Sequence, residues 1–239
     1  VFPGRPRSGL RRLPVLAARI LAAEGFAALR FDLRGHGESA GEASLPSRQE
    51  PLGEDVVAAI RHLREAHGQQ QFLLAGYCFE ALSALNSFKD EADAIGGLFF
   101  AAATVLEEKP GEPPADRRAR VRASFLRSIV KRAHAPKILD SFEIPFRSLV
   151  RSHARALFLY GEQDRLRAEF RIAEQLLFSQ LDSEARGRLQ IEIWPGRIHT
   201  IEGQPAIIER AITWLREFHP APGNRDAGRE PLHPIAPGS

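Results

Sequence analysis

Phe72-Leu-Leu-Ala-Gly-Tyr-Cys-Phe-Glu-Ala-Leu82 decides how this chain is read. Four apolar residues reach Gly76, Tyr77 and Cys78 follow, and helix-forming residues resume at once, the pattern of a buried strand that turns sharply into a helix. Such a turn projects its middle side chain, Cys78, outward and sets it at a helix N-terminus. There the helix dipole favours the thiolate, the reactive form of cysteine. Two readings stay open at this point: a small buried Cys filling a strand–helix joint, or a nucleophile.

Working outward, short apolar runs alternate with helical patterns. Strands are expected at Phe26–Leu33, Phe72–Gly76, Gly97–Ala101, Ala156–Tyr160 and Leu189–Trp194. Helices are expected at Arg12–Glu24, Leu52–His67, Phe79–Phe88, Leu166–Leu181 and Pro205–Phe218. This alternation predicts an α/β domain, a mostly parallel sheet flanked by helices, over residues 1–218. Two regions break it. Residues 104–150 hold the Pro-rich run Lys109-Pro-Gly-Glu-Pro-Pro114 and read as an inserted helical cap. Residues 219–239, rich in Pro and Gly, read as a flexible tail. Within the cap, Arg117–Arg132 sets Val121, Phe125, Leu126, Ile129 and Val130 at helical spacing. They form an apolar stripe beside a cationic face.

The pattern around Cys78 resembles G-x-S-x-G with two replacements, Cys for Ser and Glu80 for the second Gly. Asp164 follows the strand Ala156-Leu-Phe-Leu-Tyr160 and precedes a helix. It fits either a helix N-cap or a carboxylate that orients a histidine. His199 follows Leu189-Gln-Ile-Glu-Ile-Trp194 in a loop before the last helix. By itself it is one of eight histidines. Together the three stand in the order nucleophile, acid, base, each after a strand, and this joint pattern predicts a Cys78–His199–Asp164 triad.

Composition narrows the alternatives. The chain has 239 residues and a net charge of +3, and only four of its 33 basic residues are Lys. An Arg excess of that kind reads as the mark of a GC-rich genome, and no clustered basic and aromatic motif points to nucleic acid. One cysteine rules out an internal disulfide and suits a reducing cytoplasm. No apolar run reaches the ~20 residues of a membrane span, and no signal-peptide pattern opens the chain. No metal cluster or dinucleotide motif appears, so no cofactor is expected.

Arg30-Phe-Asp32-Leu-Arg34-Gly35-His36-Gly37-Glu-Ser39 completes the picture. With the ordered triad it resembles the α/β-hydrolase superfamily over about residues 1–218. The narrower resemblance is to bacterial hydrolases associated with exosortase systems. The Gly-Tyr-Cys-Phe run also resembles the elbow of the dienelactone hydrolases. The resemblance implies that the Arg-Gly-x-Gly-x-Ser turn is structural, so neither Asp32 nor His36 is assigned to catalysis. It also implies an oxyanion hole made by two backbone N–H groups, those of Phe79 and of Arg5 in Phe2-Pro3-Gly4-Arg5. Because the sequence begins inside that loop, the family's first strands are expected to be missing. The activity implied is hydrolysis of an ester or thioester through an acyl-enzyme, on a small-molecule substrate, free or linked to an acyl carrier. Acyl transfer, a non-catalytic binding protein and an oxidant-sensing thiol are the alternatives.

Overall fold

The computed structural model describes residues 2–4, 7–8, 12–42, 50–107, 137–198 and 204–218. Every strand pair within it is parallel. β1 (Phe2–Gly4) pairs with β2 (Arg30–Asp32), and β3 (Phe72–Tyr77), β4 (Ile95–Ala101), β5 (Arg155–Gly161) and β6 (Leu189–Trp194) pair in chain order. β1 also contacts β3, which brings the two sheets side by side. The helices joining them are α1 (Leu13–Ala23), α2 (Gly53–His67), α3 (Phe79–Asn86), α4 (Phe88–Glu91), α5 (Asp140–Arg151), α6 (Arg165–Leu176), α7 (Ser183–Arg188) and α8 (Gln204–Phe218). This is the parallel sheet flanked by helices expected from the alternation of apolar runs and helical periods, in the arrangement that the resemblance to the α/β-hydrolases implies.

Strands β4 and β5 are buried almost throughout, because helices cover both faces of a parallel sheet. The two-residue period of β4 sends neighbouring side chains to opposite layers. Phe99 meets Trp214 of α8, with ring centroids 6.4 Å apart. Phe100 packs on Phe158 of β5 at 5.3 Å. Phe158 in turn touches Phe142 and Phe146 of α5, Phe170 of α6 and Phe178. α1 and α8 contact each other, while α2, α3, α4 and α5 form a contiguous set. Buried Asn86 ties α3 to α5 by donating to the carbonyl of Ser141 at 2.6 Å.

Several elements are shorter than the sequence suggests. β2 forms only over Arg30–Asp32, and the run expected at 79–88 divides at Ser87 into α3 and α4. α7 is an additional turn started by Asp182, whose carboxylate accepts the Ala185 N–H at 2.8 Å.

The segment expected to be a cap, 104–150, contains core structure at both ends. Leu106 and Ile138 form an antiparallel bridge. α5 belongs to the sheet-flanking layer, because Phe142, Phe146 and Leu149, spaced at helical turns, are buried against it. The remainder, 108–136, including the basic stripe at 117–132, lies outside the described residues. So do the tail at 219–239, Arg5 and His199. Among the described residues no helix is long and apolar enough to cross a membrane.

The Arg-Gly-x-Gly-x-Ser turn is a braced corner. The buried Asp32 carboxylate accepts from the backbone and guanidinium of Arg7 and from the Glu38 N–H, and Ser39 Oγ donates to the Asp32 carbonyl at 2.7 Å. Arg34 ties the corner to α2 through Asp55 and Glu54.

Candidate active site

In a parallel sheet the loops leaving the carboxyl ends of the strands share one edge, where such folds bind ligands. Here β3 delivers Cys78, β4 delivers Ala102–Thr104, β5 delivers Glu162–Asp164, and β6 delivers the loop that ends at Ile198. They enclose an open cleft of about 1040 Å³ lined by Cys78, Phe79, Thr104 and Asp164, with part of α6.

Cys78 has φ 56° and ψ −115°, outside the wells open to an L-residue. Its N–H extends the β3–β4 ladder by donating to the Ala101 carbonyl at 2.9 Å. The next residue already begins α3, so the chain reverses within one residue and leaves the half-buried thiol side chain at the cleft. Strain of this kind costs about 1–3 kcal/mol and persists only where surrounding structure imposes it.

Gly76 shows what imposes it. A Cβ there would stand 2.5 Å from Ala81 Cα and 2.6 Å from Ala81 N, both backbone atoms of α3. The helix therefore folds back onto the strand at a distance that only glycine permits. Glu80, at the position of the second Gly in the pattern, sits half-buried in the first turn of α3 with the turn formed. Phe79 is the first residue of α3, so its N–H belongs to the set that an α-helix leaves without an intrahelical partner.

Asp164 is 7% exposed and precedes α6, yet its side chain makes no cap bond to that helix. Its Oδ2 instead accepts from the Gly161 N–H at 3.2 Å and the Ile198 N–H at 3.1 Å. Two further bonds stitch the same loops together. The Glu162 N–H donates to the Trp194 carbonyl and the Gln163 N–H to the Gly196 carbonyl, each at 2.8 Å. On its other side Ile198 offers its carbonyl to the Tyr77 hydroxyl at 3.5 Å. Ile198 thus stands between the residue before Cys78 and the carboxylate of Asp164, and His199 is its neighbour in sequence. Of the five residues expected from the sequence, Cys78, Phe79 and Asp164 line one cleft. His199 and Arg5 each follow a described residue, Ile198 and Gly4, and β1, which ends at Gly4, contacts both β3 and α3.

Thr104 is the residue that the sequence did not single out. It is 1% exposed, its Oγ1 has no hydrogen-bond partner, and it lines the cleft. Its one sequence signal is position, three residues beyond the end of β4. The turn that holds it includes Ala102, at φ 53°, whose N–H donates to the Leu159 carbonyl. Tyr160 braces the turn through its hydroxyl, which donates to the Ala103 carbonyl at 3.0 Å. Burial holds the phenol well above its ordinary pKa, so it stays a donor. Among the described residues no group of three or more His, Cys, Asp or Glu could hold a metal ion.

Comparison with known proteins agrees with this fold. No curated protein sequence matches the chain. Among solved structures, a monoacylglycerol lipase of Paleococcus ferrophilus superposes with a TM-score of 0.59 at 18% identity, covering 91% of this chain and 93% of that one. An esterase of Pyrococcus furiosus gives 0.60 at 20% identity, with 91% and 81% covered. A Butyrivibrio proteoclasticus protein bound to ferulic acid gives 0.55 at 16%, with 90% and 87% covered. At such identities the likeness is one of fold. The family model described as serine aminopeptidase, S33, matches residues 12–151, a span that contains Cys78. With more than half of its length matched and the nucleophile-turn backbone in place, the chain belongs to that α/β-hydrolase family.

Proposed function

We propose that this hydrolase cleaves ester or thioester bonds through a covalent acyl-enzyme on Cys78, with His199 as general base and Asp164 as the group that orients it. His199 takes the thiol proton as Sγ attacks the carbonyl carbon, and the oxyanion is held by the N–H groups of Phe79 and Arg5. Collapse breaks the bond to the leaving alcohol or thiol, which receives the proton from His199. The acyl group remains on Cys78 as a thioester. His199 then deprotonates a water that attacks this thioester, and the carboxylic acid leaves as the thiol is restored.

The observation that carries this reading is the backbone at Cys78. A cysteine that only filled a joint would have no need of φ 56° and ψ −115°. The bond from Ile198 to Asp164 adds support, since a carboxylate one residue from the base is where an orienting acid is needed. With cysteine where the family has serine, the acyl-enzyme is a thioester, from which transfer to an amine or alcohol is a second outcome of the same chemistry. A thiol nucleophile works only when reduced, so we assign the protein to the cytoplasm. The resemblance to exosortase-associated hydrolases falls within this reading.

Intact-mass spectrometry after incubation with p-nitrophenyl acetate and with iodoacetamide tests it. The expected result is one adduct on the native protein, none on Cys78→Ala, and labelling at least tenfold slower on His199→Ala. An adduct that forms on Cys78→Ala, or a rate indifferent to His199, would overturn the triad. In that case the chain would be a hydrolase-fold binding protein or a redox-sensing thiol.

A further inference from the structure

Two features of the cleft go unused by the chemistry above. The first is Thr104. A hydroxyl buried without a partner has surrendered its hydration for nothing within the protein, and a valine of the same shape would avoid that loss. The second is the set of arginines lining the same cleft. α6 brings Arg165, Arg167 and Arg171 to the cleft, and the loop after β6 brings Arg197. The carboxylates lining the same space are Glu162 and Asp164.

These charges are not equivalent. Asp164 is turned to the amides of Gly161 and Ile198. Arg165 pairs with Glu169 at 3.2 Å and Arg167 with Glu174 at 2.9 Å. Arg171 makes no ion pair among the described residues, and it lies one helical turn from Arg167 on the same face of α6. With Arg165 and Arg167 offset by their own carboxylates, Arg171 is the guanidinium of α6 left to meet a ligand.

We propose that the cleft selects substrates bearing an anionic oxyacid group, a carboxylate or a phosphate. Arg171, with Arg167 beside it, takes the anion, and the Thr104 hydroxyl donates to a substrate oxygen near the reacting carbonyl. A planar guanidinium recognises either oxyanion in the same bidentate way, which is why the geometry names their shared chemistry. Thr104 is then a substrate-binding residue whose unmet hydrogen bond in the free protein is satisfied on binding.

This inference rests on the esterase reading for its biological sense, but its test needs no turnover. Calorimetric titration of the Cys78→Ala protein with monoethyl glutarate and with neutral ethyl pentanoate compares an anion with a neutral ester of similar length. S-acetyl-4′-phosphopantetheine against S-acetylpantetheine asks the same of a phosphate on the leaving-group side. The anion is expected to bind about tenfold more tightly in one of the two pairs, and that pair identifies the source. Arg171→Gln should cut the preference to about twofold, and raising the salt should narrow it. Thr104→Val should weaken the preferred ligand about fivefold or more while melting at or above the parent temperature, because it removes the unpaired hydroxyl; Thr104→Ser should restore binding. Equal binding within both pairs would overturn the anion site, and full binding by Thr104→Val would remove Thr104 from it. If instead the anions bind as expected while no ester acylates the native protein, the esterase reading fails and the anion site stands.

Discussion

Replacing Gly161 with alanine would strike the junction on which the site depends. The added Cβ would lie 2.5 Å from Asp164 Oδ2, 2.7 Å from the Ile198 amide nitrogen and 2.8 Å from the Gly196 carbonyl oxygen. Two of these three atoms are backbone, and the third is the carboxylate oxygen that binds Ile198, so the clash cannot be relieved by swinging a flexible side chain. The loop bearing Ile198 or the Asp164 carboxylate has to move. Overpacking of this kind costs about 1–3 kcal/mol. For a chain of this size that is a fall of about 2–12 °C in melting temperature. A displacement of about 1 Å in a catalytic group costs on the order of 100-fold in turnover, so kcat should fall much further than stability alone would suggest. Gly187→Ala is the control. Gly187 is exposed in α7, a Cβ there meets nothing within 4 Å, and the change should add about 0.4–1 kcal/mol. Thermal melting by circular dichroism and ester hydrolysis on both variants decide the matter. A Gly161→Ala protein with the parent's melting temperature and kcat/KM would refute the claim that this crossing positions the acid.

The other predictions concern the elbow and the acid limb. Gly76→Ala should destabilise by about 1–3 kcal/mol and abolish Cys78 labelling, since its Cβ meets the backbone of α3 rather than a side chain; unchanged labelling kinetics would contradict this. Cys78→Gly should melt higher than Cys78→Ala, because glycine accepts φ 56° without strain, and urea unfolding of the two inactive variants reads the difference. Asp32 and Glu91 govern the response to acid. Burial pushes both carboxyls up, but hydrogen bonds to Asp32 from the Arg7 and Glu38 backbones and the Arg7 guanidinium, and to Glu91 from Arg64 and Arg61, outweigh it. Both are held below their ordinary values of 3.8 and 4.5. A depressed folded pKa gives stability that is present above the unfolded value and lost as pH falls through the folded one. The melting temperature should therefore hold steady from pH 7 to about 5 and drop below pH 4.5. Glu91→Gln should lower the plateau and flatten the drop, and a variant with the parent's slope would remove Glu91 from the account.

Much of this was legible in the sequence because it was local. The buried strands announce themselves as apolar runs, the amphipathic helices by their period, and the elbow by Gly76-Tyr77-Cys78 between a strand and a helix. What stayed hidden depends on distant atoms. Phe142, Phe146 and Leu149 form an apolar helical stripe whether a helix covers a cleft or flanks a sheet, and α5 falls within the segment 104–150 that the break in alternation marks as a cap. Asp164 taken alone reads more readily as a helix cap than as an orienting acid until the loop after β6 arrives beside it.

The sequence by itself determined the α/β architecture, the main strands and flanking helices, and the chain order of the three proposed triad residues. These follow from short-range preference and from the free energy of burying apolar runs. Only the tertiary structure decided that Cys78 adopts a backbone few residues tolerate, that Asp164 turns from its own helix toward Ile198, and that the Thr104 hydroxyl lies buried and unpaired beside an arginine-lined wall. Each of these depends on atoms far apart in sequence. Which polar atoms lose water, and which partners they find in exchange, is set when strands far apart in sequence come to share one edge of a sheet.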